Sequence, residues 1–424
     1  MRMISEQATI LRRQWETQPR WAGIERTYSA EEVIRLRGSV VEEHTLARRG
    51  ATRLWDLLHS QDAIRALGAK TSDQAVRMVK AGLQAIYLSG HQELPDPADP
   101  GPTMVRRINK ALLRADRVAW SEHDGEVPAQ EWLAPVVAAA GSDGGLNPFE
   151  AMEAMIEAGA AGVRFEDRLS PAKTRGRLSE KVLVPTGQHI KTLNAARFAA
   201  DVLDVPTLVI ARTDANAATL LTSDADERDH EFLTGERTAE GFYRVRPGLY
   251  ACVTRALAFA PYADLLWMES STPDLVEARV FADMIHSQYP DKMLAYSCSP
   301  SFDWRAHLDD AGIAKFQKEL AAMGYQFQSI TLAGFHALNQ SKFELAYGTA
   351  RQDMSAYVRL QDAEFAAEPL GYRAIRHQRD AATGYLDLGA QTVAPERATV
   401  APAASTQFTE YDQVDHHGRL VPAD

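Results

Sequence analysis

Ala160-Ala-Gly-Val-Arg-Phe-Glu-Asp-Arg-Leu-Ser-Pro-Ala-Lys-Thr-Arg-Gly-Arg-Leu-Ser-Glu-Lys-Val-Leu-Val-Pro-Thr186 passes from apolar to charged within a few residues. The run from Ala160 to Val163 reads as a buried strand, and Glu166 and Asp167 stand where such a strand reaches its carboxyl end. After them come Pro171, Gly176 and the bases Arg168, Lys173, Arg175 and Arg177, before the chain closes on Lys181-Val-Leu-Val-Pro185. A carboxylate pair followed by a basic loop with a glycine hinge suits gripping an anion and covering it, because lid loops exclude water and complete a site. A solvated surface loop has a similar composition, so the flanking sequence has to decide.

Outward from this stretch, apolar runs alternate with segments of helical spacing. The candidate strands are Ala85–Ser89, Trp132–Ala138, Gly162–Phe165, Thr207–Arg212, Leu265–Glu269, Met293–Tyr296 and Phe327–Thr331. Between several of them lie amphipathic segments such as Phe149–Ala158 and Asn194–Leu203. Repeated β–α units with apolar strands predict an all-parallel sheet. Their number favours closure into a (β/α)8 barrel of the TIM type, where chemistry sits at the carboxyl ends of the strands. Polar residues punctuate those ends: Ser89, Glu166, Arg212, Glu269, Ser297 and Thr331.

Residues 6–80 read mostly as helix, and Ser29 three residues before Glu32 makes a capping-box pattern. Asp291–Gly348 reads as helix-rich, with clear amphipathic spacing over Ile313–Met323. The expected divisions are a helical segment over 1–50, the barrel over 51–350, a helical segment over 351–392 and an irregular tail over 393–424. In that tail His416-His417 reads as a solvated pair.

At 424 residues and a net charge of −11, the chain is long enough for a barrel with insertions, and generic attraction to nucleic acid is disfavoured. Local basic clusters then read as anion sites. Cys252 and Cys298 are the two cysteines, which allows neither a disulfide framework nor a cysteine zinc site. The amino terminus has no uninterrupted apolar region of the secretory kind, and no stretch approaches the length of a membrane span. The expectation is a cytoplasmic protein without nucleic-acid or membrane partners.

Four stretches carry a specific resemblance: Gly38-Ser-Val-Val-Glu-Glu-His-Thr-Leu-Ala-Arg-Arg-Gly50, Val209-Ile-Ala-Arg-Thr-Asp-Ala215, Lys315-Phe-Gln-Lys-Glu-Leu-Ala-Ala-Met323 and Ile330-Thr-Leu-Ala-Gly-Phe-His-Ala-Leu-Asn339. From about residue 10 to 390 the chain resembles the isocitrate lyase family, within the isocitrate lyase and phosphoenolpyruvate mutase superfamily. The resemblance implies a (β/α)8 barrel with extra helical segments, whose terminal helix is exchanged with a neighbour in a homotetramer. It also implies cleavage of isocitrate to glyoxylate and succinate with Mg2+.

Residue by residue, the resemblance places Tyr87, Glu166, Arg175 and Glu269 at catalytic positions. It places Ser89, Gly90, His91, Arg164, Gly176, Arg177, Arg212, Ser297, Ser299, Ser301 and Thr331 around a small carboxylate substrate. Several of these depart from the family. Lys173-Thr-Arg-Gly-Arg177 stands where the family has Lys-Lys-Cys-Gly-His, so Arg175 replaces the cysteine acid and Arg177 the histidine. A guanidinium stays protonated near neutral pH and cannot give up a proton on demand. His91 replaces a tryptophan, Arg164 a histidine and Ser297 an asparagine, while Ala139 stands where the family has a magnesium-binding aspartate. Glu166 and Asp143 remain as metal-ligand candidates, Asp96 and Asp99 stand as further substitutes, and Arg164, Arg168, Lys173, Arg175 and Arg177 are expected to take over part of the ion's role. These departures favour altered chemistry on a small carboxylate, making or breaking a bond beside it, over efficient isocitrate cleavage or a non-catalytic homologue.

Overall fold

Eight strands close into a parallel barrel: β1 (Ile64–Gly68), β2 (Ala85–Leu88), β3 (Val136–Ala139), β4 (Gly162–Glu166), β6 (Leu208–Thr213), β10 (Leu265–Met268), β11 (Met293–Ser297) and β12 (Tyr325–Ile330). β1 pairs with both β2 and β12, which closes the ring. The structure is a computed structural model and describes residues 2–89, 101–122, 130–140, 147–169, 180–372, 374 and 383–393.

The strands read as near-continuous apolar runs because both faces are covered, as parallel sheets require. In β6, Leu-Val-Ile-Ala-Arg-Thr, all six residues are buried. Inside the ring, Ile64, Tyr87, Val137, Leu208, Ile210, Trp267 and Phe327 belong to one apolar cluster. Trp267, Tyr87 and Phe327 are fully buried, and each large side chain contributes on the order of 1.5–3 kcal/mol by leaving water.

Two expectations need correction, and one sheet lies beyond them. Residues 6–80 include β1, which helix-forming Ala, Leu and Arg disguise; pairing on both sides overrides that propensity. The strand expected from Trp132 begins at Val136 and runs to Ala139. A second sheet, unforeseen in the sequence, orders β5 (Val182–Leu183), β7 (Leu220–Leu221), β9 (Tyr243–Val245) and β8 (Leu233–Arg237) as β5-β7-β9-β8. Its shortest strands have two residues, too few to show periodicity.

Local signals hold where their chemistry is complete. Ser29 accepts from the Glu32 N–H while the Glu32 side chain accepts from the Ser29 N–H, starting the helix Ala30–Arg37. Asn147 and Glu150 repeat the device, with Pro148 at the first turn of Pro148–Glu157. The first of these helices packs Val33 and Ile34 with Leu11 and Val202.

Below the barrel, Asp264 precedes β10 and accepts from Arg20 Nη1 at 2.6 Å, from the Val209 N–H at 2.7 Å and from Arg197. Burial pushes its carboxyl up, but the two arginines outweigh that and hold it well below the usual range. This amino-terminal face is structural, as in barrels generally.

The chain divides into two units, one of 1–75, 83–109 and 134–335, the other of 76–82, 110–133 and 336–424. The first contains every barrel strand. The regular elements described in the second are all helices, and Phe343, Tyr347, Met354, Tyr357 and Val358 in it are exposed. Among the described residues no helix is long and apolar enough to cross a membrane.

Candidate active site

Parallel register brings the carboxyl ends of the strands to one rim, and there β4 and β6 set their charged residues side by side. Glu166 pairs in register with Arg212. One Glu166 oxygen accepts from Arg164 Nη2, and the other accepts from Arg168 Nε at 2.6 Å. Arg212 Nη1 lies 3.9 Å from the same carboxylate. Burial raises the Glu166 pKa, yet Arg164, Arg212 and Arg168 overcome it and bring it to about 2. Glu166 is therefore an anion at neutral pH.

Arg212 Nη2 donates to Asp214 Oδ1 at 3.1 Å and stands 3.1 Å from Glu269 Oε2. Asp214 also accepts from Lys181 Nζ at 2.5 Å. Glu269 behaves oppositely to Glu166: burial raises its pKa, and the opposing pull of Arg212 does not cancel it. Two carboxylates in one mouth are thus pushed apart in acidity, a pattern that separates proton acceptor from fixed anion.

Tyr87 is fully buried on β2, with its ring 5.7 Å from that of Trp267. The Arg164 guanidinium sits 5.2 Å above the Trp267 ring and 5.8 Å from the Tyr87 ring, capping the apolar interior. The Tyr87 hydroxyl has no hydrogen-bond partner among the described residues. Burial pushes its pKa up to about 12 although Arg164 and Arg212 draw it down, so it carries its proton at neutral pH.

Asp167 does not share the role of its neighbour. It is wholly buried, accepting from the Asp214 N–H at 2.9 Å and from Arg255 Nε at 2.8 Å. Arg255 continues to Asp229 at 2.6 Å. The Leu169 N–H donates to Val182 O, and the Val184 N–H to Asp167 O, both at 2.8 Å. Residues 167–169 and 182–184 are thereby laced together on either side of the basic stretch.

Of the sequence-derived candidates, Tyr87, Arg164, Glu166, Arg212 and Glu269 come together. Ser89 follows β2 at the same rim. Ser297 ends β11 and is buried; beyond it Ser299 Oγ and Ser301 Oγ share a hydrogen bond of 2.6 Å. Thr331 follows β12, its carbonyl pressed against Gly68. Gly90, His91, Asp143, Arg175, Gly176 and Arg177 lie outside the described residues, as do Asp96, Asp99 and His416-His417. Asp214, Lys181 and Arg255 were missed as site-building residues; Asp214 was legible only as a neighbour of Arg212 in the Val209–Ala215 stretch. Cys252 and Cys298 are buried free thiols.

The isocitrate lyase family model matches residues 7–237 and 234–413. The chain belongs to the isocitrate lyase family. It is 57% identical over 420 residues to isocitrate lyase 1 of Mycobacterium tuberculosis, covering 95% of this chain and 98% of that protein. It is 55% identical over 423 residues to isocitrate lyase of Corynebacterium efficiens, with 95% and 98% covered. Among solved structures, an oxaloacetate acetylhydrolase (17% identical, 78% of this chain and 99% of that one, TM-score 0.50) and 2,3-dimethylmalate lyase (17%, 81% and 98%, TM-score 0.50) share the fold.

Identity of this extent overturns the expectation of altered chemistry. That expectation weighed a few substitutions, chiefly at 173–177, above a likeness to isocitrate lyases that runs through nearly the whole chain. The chain is a lyase-family member.

The family's magnesium is a separate matter. A hard dication takes oxygen ligands, usually carboxylates and waters. Among the described residues no three of His, Cys, Asp and Glu gather to hold a metal. Both oxygens of Glu166 are engaged by guanidinium groups, and β3 ends in Ala139. The described residues do not fit the ion, and Glu166 does not fit the metal role expected of it.

Proposed function

We propose that this chain cleaves isocitrate to glyoxylate and succinate. The observation that carries the proposal is the whole-chain likeness to isocitrate lyases from two genera. The described mouth supports it with an anion clamp on β4 and β6, a proton acceptor at the end of neighbouring β10 and a proton donor on β2.

In the scheme, Arg212 and Arg164 hold substrate carboxylates by charge-assisted hydrogen bonds. Glu269, whose pKa burial raises, takes the proton of the substrate hydroxyl. The C–C bond breaks, the alkoxide carbon becomes the aldehyde of glyoxylate, and the electron pair passes to the succinate fragment. Tyr87 returns a proton to that carbon, replacing the family's loop cysteine as donor, and Glu269 passes its proton back to restore both groups. A positioned acid and base contribute ~10²–10⁴-fold. Glu166, fixed as an anion, keeps Arg164 and Arg168 in place. Ser297, Ser299, Ser301 and Thr331 line the succinate side.

We also assign the chain to a homo-oligomer in which the segment over 351–392 packs on a neighbouring subunit. The exposed Met354, Tyr357, Val358 and Leu360 support that assignment, and sedimentation of the purified protein tests it. For the reaction itself, 13C-labelled isocitrate followed by NMR should give glyoxylate and succinate in equal amounts. Unchanged isocitrate, or any other product pair, would contradict the proposal.

A further inference from the structure

At the mouth of the barrel four cationic side chains stand among three carboxylates. Around Glu166, Asp214 and Glu269 stand Arg164, Arg168, Arg212 and Lys181. Arg164 is 3% and Arg212 8% exposed, and the Nε of each lacks a partner among the described residues. The Tyr87 hydroxyl and Ser329 Oγ are buried without partners as well. Groups so deeply buried cost free energy when left unsatisfied, which points to a ligand that completes them. Arg164 is held from below by the Trp267 and Tyr87 rings and on one side by Glu166. A guanidinium fixed in this way is a rigid fork for a carboxylate. A structural role alone accounts for the Glu166 pairing but leaves the remaining donors unexplained.

We propose that Arg164 and Arg212 bind a small dicarboxylate directly at this rim, so that binding needs no divalent cation. The proposal rests on the assignment of this mouth as the substrate site. The fixed guanidinium groups supply the positive charge, and the saturated Glu166 carboxylate is their anchor, not an ion ligand.

Titration calorimetry with succinate tests this on the full-length protein, once with excess EDTA and once with Mg2+. The dissociation constants should agree within about threefold and change little with salt, because charge pairs this deeply buried are screened much less than exposed ones. Arg164→Met, which keeps bulk but removes the charge, should weaken succinate at least about tenfold. Arg164→Lys should recover only part of that loss, for want of the fork. The chelator comparison on the native protein stands even if a variant folds poorly, and a thermal melt identifies such a variant. Binding that disappears in EDTA and returns with Mg2+, equal affinity of native protein and Arg164→Met, or no binding in either condition would each overturn the proposal. Succinate binding in EDTA without glyoxylate release from isocitrate would keep it and reject isocitrate cleavage. Glyoxylate release that requires Mg2+ for succinate binding would do the reverse.

Discussion

Arg212 Nη2 stands 3.1 Å from both Glu269 Oε2 and Asp214 Oδ1, tying the end of β6 to the end of β10. Because β6 and β10 are hydrogen-bonded neighbours, one guanidinium sets the geometry between the anion clamp and the group with the raised carboxyl pKa. Arg212→Lys keeps the charge and loses the planar fork. Its kcat/KM for isocitrate should fall roughly 10²-fold, the scale of losing one preorganised donor. A loss below about threefold in steady-state assays would mean that the fork is not used.

Tyr87→Phe separates chemistry from packing. The hydroxyl has no partner among the described residues, while the ring packs on Trp267. Removing the oxygen should change stability by less than about 1 kcal/mol. The rate of glyoxylate release should fall ~10²–10⁴-fold if the hydroxyl is the proton donor. Urea melts and assays on the same preparation check both halves.

Gly68 is needed for space. A Cβ there would lie 1.8 Å from the Thr331 carbonyl oxygen, a backbone atom that cannot swing aside. Gly68→Ala should therefore force β1 and β12 apart at the rim and cost at least ~1–3 kcal/mol, read as a lowered urea midpoint. Native-like stability in that variant would refute the tight approach of the two strand ends.

His189 sets an acid limit on stability. It is buried in the helix Thr186–Val202 with its ring 4.6 Å from Phe259, and burial lowers its pKa to about 4. The unfolded histidine, near 6.5, takes up a proton first. Its contribution is thus complete above pH 6.5 and is lost as pH falls from about 6.5 to about 4, at most about 3 kcal/mol. Glu166 adds loss in the same direction lower down, as pH falls from about 4.5 towards 2. Denaturant melts across this range should show the slope, and His189→Gln should flatten its upper part.

How far the sequence could be read follows from where its signals are local. The apolar strands β4 and β6, the capping box at Ser29 and the polar strand ends could be read from neighbouring residues alone. β1 could not, because Ile64-Arg-Ala-Leu-Gly68 favours helix and becomes a strand only between β2 and β12. Glu166 and Asp167 look alike in sequence, yet strand alternation sends them to different partners: Arg164 and Arg168 for one, Arg255 for the other. The anchoring of Arg212 by Asp214, and of Asp214 by Lys181, depends on a tertiary meeting across 33 residues. The altered reaction inferred from Arg175 and Arg177 failed for a different reason: a few substituted positions were given more weight than identity along the whole chain.

The most direct test of the central claim is the steady-state release of glyoxylate from isocitrate, run beside the M. tuberculosis relative. We predict stoichiometric glyoxylate and succinate with a turnover number in the ordinary enzyme range of ~1–10³ s⁻¹, abolished or strongly reduced in Tyr87→Phe. No glyoxylate above background from correctly folded native protein, under conditions where the relative turns over, would contradict the account.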